Sequence, residues 1–162
     1  MKLKELKKEL IGKKLQMVIG INTTSDNADI IKKVTNHNYD VDNLQLLTIE
    51  NEKRSLVFVD YDCDGYRSGA WFLLTFADIL DKGNTTDLKK INSIIRDIQY
   101  FEDDSDKNYI LITTDEYVIT MGQENVSDYY PRNFFNVEET KEYALKEIKN
   151  VKGELVELEL ED

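Results

Sequence analysis

The chain has 162 residues, 41% of them apolar and 10% aromatic, with a net charge of −11; this fits one folded domain (1–162) and excludes a disordered acidic chain. The single cysteine, Cys63, excludes an internal disulfide. The Lys-rich amphipathic start replaces the apolar core of a signal peptide, and the apolar runs are too short for a membrane span, so a cytoplasmic protein with no membrane partner is expected.

Leu3, Leu6, Leu10 and Ile11 recur at helical spacing between lysines, which predicts a short amphipathic helix over 2–11, stopped near Gly12 and packed on a sheet. Residues 15–21 read as a first strand. Capping residues at 25–29 precede Ile30, Ile31 and Val34 and predict a helix start, and the lone histidine, His37, falls in a polar loop. Residues 44–50 and 55–60 flank Asn51, Glu52, Lys53 and Arg54, a spacing that suits an antiparallel hairpin. The apolar run 70–76 leads on to residues 77–81 and a turn at Gly83 and Asn84.

The second half repeats this plan. Residues 94–101 read as a strand, 102–107 as an acidic turn, and 109–113 and 117–121 as strands flanking a tight turn at Thr114, Asp115 and Glu116. The run 56–60 before Trp71 and Phe72 parallels 117–121 before Phe134 and Phe135, in each case through a loop containing glycine and acids. A helix is expected over 137–150, capped by Asn136. Residues 155–160 alternate apolar with acidic in an edge-like strand. The resulting expectation is an α+β domain: an antiparallel sheet of pseudo-duplicated hairpin units with helices at both ends.

Charge is segregated. Residues 1–33 hold eight lysines against four acids, whereas the remainder holds 13 bases against 28 acids. Direct nucleic-acid binding is disfavoured, because it relies on Lys and Arg to neutralise phosphates. A basic partner fits better: an anionic body can steer onto the basic cleft of a nucleic-acid-binding protein and imitate DNA or RNA. The plain alternative is that the charge serves solubility alone.

Residues 10–14 (Leu-Ile-Gly-Lys-Lys), Asp62-Cys63-Asp64, residues 117–120 (Tyr-Val-Ile-Thr), Gly122, Asn125, Ser127 and the pair Tyr129-Tyr130 together resemble a small domain of unknown function recurrent in phages and mobile elements, over about residues 10–137. The resemblance brings no catalytic residue with it. What it implies is context: a phage protein acting in a bacterial host, where small acidic proteins serve as inhibitors of host defence, anti-CRISPR proteins among them.

Candidate chemistry centres on Asp60, Asp62 and Asp64, followed by Gly65. Alternate residues of an extended chain share a face, so three carboxylates there could share a divalent cation. The pattern matches the first half of an EF-hand loop, but position 12 is Trp71 and the flanks read as strands. With Ser68 it also resembles the first motif of the DHH phosphoesterases, which additionally requires paired histidines that this chain lacks. The plain reading is a solvated acidic turn. Cys63 stands between two acids, which oppose nucleophilic activation of a thiol, and is expected to be inert.

The expected activity is therefore non-enzymatic, with no cofactor: inhibition of a host nucleic-acid-handling protein by an acidic mimic. Glu102, Asp103, Asp104, Asp106, Asp115 and Glu116 supply charge, and Tyr129, Tyr130 and Arg132 an anchor of the kind found at interface hot spots. The core is the plain alternative for Phe134 or Phe135. The competing class is a cation-binding domain or metal-dependent phosphoesterase centred on Asp60, Asp62 and Asp64.

Overall fold

The computed structural model describes residues 2–21, 40–62, 70–78, 85–103, 108–127, 130–138 and 153–155. A helix, α1 (Leu3–Leu10), is followed by β1 (Lys14–Ile21), β2 (Asp40–Ile49), β3 (Ser55–Asp62), β4 (Ala70–Ala77), β5 (Thr85–Asp103), β6 (Asn108–Thr114), β7 (Val118–Ser127), β8 (Tyr130–Glu138) and β9 (Gly153–Leu155).

Two antiparallel meanders, β1 to β4 and β5 to β8, join through antiparallel pairing of β1 with β5. The hydrogen-bonded path runs β4-β3-β2-β1-β5-β6-β7-β8, and β9 adds to β5. It folds over on itself, so that β4 approaches β8 and the rings of Phe58 and Phe135 lie 5.6 Å apart. Between the meanders is one shared core: Leu15, Leu56, Phe58 and Leu74 from the first meet Ile95, Ile98, Ile110 and Ile119 from the second.

β5 makes this closure possible. Its stretch 85–94 pairs with β1 and its stretch 95–102 with β6, so a single strand passes from one meander to the other. Such corners are made by bulges and bends, and here Asn92 takes a left-handed conformation (φ 45°) just before the crossing.

The helix seals the corner. Leu3, Leu6 and Leu10, on one stripe of α1, are buried in the shared core, which is what the sequence spacing requires. Glu5 accepts a hydrogen bond from the Lys2 backbone N–H at 3.1 Å, and Lys7 and Lys8 complement the dipole at the far end. Gly12, at φ 91°, ends the helix in the conformation that favours glycine. Its N–H donates to the Ile95 carbonyl, and the Ile95 N–H donates to the Lys13 carbonyl, each at 2.9 Å.

Leu56, Val57, Phe58 and Val59 are all buried, as are Tyr109, Ile110, Leu111 and Ile112. β3 and β6 are thus covered on both faces, which explains why they read as continuous apolar runs rather than alternating ones.

The expectation of an α+β domain with helices at both ends is corrected. The described residues form an almost wholly antiparallel β structure with one eight-residue helix. Val137 and Glu138, expected to open a C-terminal helix, instead pair with Ile119 and Val118 in the β7–β8 ladder. The reason is physical: Phe135 and Val137 both pack on the core with the period of two that continues a strand through Asn136. Residues 139–150 of that expected helix, the helix start at 25–29 and His37 lie outside the described residues. Among the described residues no helix is long and apolar enough to cross a membrane.

Candidate functional site

The first aspartate, Asp60, is half-buried near the end of β3, beyond Leu56 and Phe58. The β2–β3 register sets Asp60 opposite Asn43 and Asp62 opposite Asp40, with a bulge at Asp42. A second acidic strand end therefore borders the one read from sequence. Asp64 and Cys63 lie outside the described residues, and among the described residues no group of three His, Cys, Asp or Glu is placed to share a metal ion.

The acids assigned to partner binding separate into two places. Glu102 and Asp103 close β5, whereas Asp115 and Glu116 form the β6–β7 turn at the other end of the same ladder. Seven residues of strand, roughly 23 Å, lie between them. Asp115 is engaged: Arg96 grips it with Nε at 2.6 Å and Nη2 at 2.8 Å. This pairing holds the guanidinium pKa above its usual value, the hydrogen bond being the larger cause. Glu116 is exposed, and its backbone N–H donates to Ser93 Oγ at 3.0 Å.

Tyr130 and Arg132 open β8, at the same end of the second meander as Glu102 and Asp103. Two intervening strands separate β5 from β8 across about 14 Å. Arg132 is set opposite Glu124 in the register. Asp104, Asp106 and Tyr129 lie outside the described residues. The structure thus groups Glu102, Asp103, Tyr130 and Arg132 by strand end, and divides them from Asp115 and Glu116. Sequence reading missed Glu154, which β9 sets opposite Glu102; it also missed Asp40, because both placements depend on register.

The described ion pairs concentrate at the α1 corner. Arg54 donates to Glu9 at 2.7 Å and to Glu52 at 3.2 Å, and its guanidinium stacks 4.3 Å above the Phe76 ring. Lys13 Nζ donates to Glu52 at 3.1 Å. The Lys13 and Arg54 hydrogen bonds pull the Glu52 carboxyl down to a pKa of about 2. Lys7 bridges from α1 to Asp97 on β5 at 3.1 Å.

Beside this network a groove of about 480 Å³ opens over β1, β2 and β5. Its walls come from three stretches of the chain, 16–19, 48–55 and 90–92, which only the sheet brings together. Its chemistry differs from the acidic surface: Lys53 and Lys90 line it together with the carboxamides of Gln16 and Asn92.

No family model matches the chain, and no curated protein or solved structure matches it either.

Proposed function

We propose that the chain is a non-enzymatic binding protein whose anionic surface docks onto a basic nucleic-acid-binding protein and occupies the groove where phosphates would lie. The observation that carries this reading is the charge: beyond residue 33, 28 acids face 13 bases. On the second meander, Glu102 and Asp103 end one strand, Glu154 stands opposite Glu102, and Tyr130 and Arg132 open another strand at the same end. Clustered acids beside an aromatic and an arginine suit an electrostatically steered interface with a buried anchor. The setting in this reading is a phage protein in the cytoplasm of a bacterial host, with a defence protein as target; this part rests on the resemblance described above.

The test is a pull-down from bacterial lysate with nuclease added to remove bridging nucleic acid, at low and high salt. A basic nucleic-acid-binding protein retained at low salt and released at high salt is the expected result. Retention indifferent to salt overturns the electrostatic docking.

One observation favours a second reading, a cation site at the end of the β2–β3 ladder. Asp40 directly opposes Asp62, a like-charge arrangement that destabilises a ladder and that a divalent cation would relieve. Calcium or manganese should then raise the melting temperature of the protein but not of its Asp62→Asn variant. An equal response of both excludes the site.

A further inference from the structure

The groove over β1, β2 and β5 has no part in the docking proposed above, and three observations give it a chemistry of its own. The first is how it is opened. Between Leu15 and Met17, β1 carries Gln16 as an extra residue against β2. Across the same step β5 moves from Ser93 to Lys90, one residue more than β1, with Asn92 at φ 45°. At one level of the sheet β1 thus bulges against β2 while β5 bulges against β1, and bulges re-aim side chains out of the regular pleat. Gln16, Asn92 and Lys90, all at or beside these bulges, line the groove.

The second observation is the polar inventory. Among the described residues, neither Lys53 nor Lys90 makes an ion pair, and neither the Gln16 nor the Asn92 carboxamide makes a hydrogen bond. Glu52, the carboxylate in the lining, is already held by Lys13 and Arg54. The Thr48 hydroxyl is used too, donating to the Met17 carbonyl at 3.3 Å. What remains is two ammonium groups, two amides and the Ser55 hydroxyl, an anion-binding set on a chain of net charge −11. The third is the apolar part of the wall, Met17, Ile19 and Ile49, in a space within the usual range for small-molecule sites.

We propose that this groove binds a small organic phosphate. Its phosphate is held by Lys53 and Lys90, its polar edge by Gln16 and Asn92, and its less polar body lies on Met17 and Ile19. A mononucleotide and a sugar phosphate share this chemistry, and the proposal is independent of the docking reading because neither lysine lies at the strand ends that carry Glu102, Asp103, Glu154, Tyr130 and Arg132.

The experiment is calorimetric titration of the intact protein with adenosine monophosphate, ribose 5-phosphate, adenosine and inorganic phosphate, together with amide NMR spectra of each mixture. Saturable binding of at least one organic phosphate, with shifts at the Gln16 and Asn92 side-chain amides, is expected. Nucleotide binding alone points to a nucleotide, and comparable binding of ribose 5-phosphate to a sugar phosphate. The exposed-lysine variants Lys53→Gln and Lys90→Gln should each weaken binding roughly tenfold, the size of a lost charge-assisted hydrogen bond. No binding of either organic phosphate at millimolar concentration overturns the proposal. So does adenosine binding as tightly as its phosphate, inorganic phosphate binding as tightly as the organic ones, or an unchanged affinity in a folded Lys53→Gln/Lys90→Gln double variant.

Discussion

Replacing Leu6 by alanine separates a helix that seals the core from one that merely decorates the surface. Leu6 is wholly buried among core residues of both meanders. Intrinsic helix propensity slightly favours alanine, so a surface helix would be unaffected or marginally stabilised. A buried leucine loses three carbons, about 2.4 kcal/mol at roughly 0.8 kcal/mol per methylene. A cavity contribution comes on top, bringing the loss to about 3–5 kcal/mol. For a domain of this size that lowers the melting temperature by roughly 8–15 °C. An eight-residue helix cannot hold itself together in water, so its order depends on this burial. Urea denaturation followed by circular dichroism measures the loss, with Lys4→Ala on the exposed face as control, expected within about 0.5 kcal/mol of the parent. A loss below about 1 kcal/mol for Leu6→Ala would refute the sealed corner.

Three further outcomes follow from the same geometry. Glu52, with its pKa lowered to about 2, contributes stability that is present above the unfolded carboxylate pKa and lost as pH falls through the folded value. Glu52→Gln should therefore destabilise at neutral pH by about 1 kcal/mol, a figure discounted because Lys13 and Arg54 are partly solvated. That difference should close between pH 4.5 and pH 2 in acid titrations of stability; a constant difference down to pH 2 contradicts the pairing. Gly12→Ala meets no neighbour within 4 Å, so its expected loss of about 1–2 kcal/mol, read by thermal melting, comes from the left-handed backbone alone. Gly20→Ala meets the Leu88 Cδ1 atom at 3.2 Å, but Leu88 is exposed and able to turn aside, so a change within about 0.5 kcal/mol is expected.

Hairpins were the most legible part of the fold. The β2–β3 turn announces itself through Asn51, which adopts φ 58°, and the β6–β7 turn through the polar Thr114, Asp115 and Glu116 between apolar runs. There the Thr114 hydroxyl donates to the Tyr117 carbonyl, and the Thr114 and Tyr117 backbones close the loop at 2.9 Å. The start of β5 was not legible. Residues 85–88 are exposed and alternate in nothing, and what makes them a strand is the backbone ladder to β1, which leaves no trace in side-chain periodicity. The C-terminal helix was misjudged because Asn136 is as acceptable opposite Thr120 in a ladder as at a helix cap.

The candidate site was legible only as a supply of acids. Glu102 and Asp115 lie close in sequence yet at opposite ends of one ladder, and Asp115 is bound by Arg96. Glu154 and Asp40 gain their places from register alone. The groove depends on bulges at Gln16 and Asn92, single-residue slips that no composition or period announces.

The most direct test of the docking account is competition on the purified partner captured by the pull-down. Fluorescently labelled nucleic acid bound to that partner is titrated with the protein and with its Glu102→Gln/Asp103→Asn variant. The account predicts complete displacement by the parent protein, weaker displacement by the variant, and an inhibition constant that rises with salt. A stable ternary complex of protein, partner and nucleic acid would contradict it, because a surface that imitates phosphates cannot share the basic groove with them.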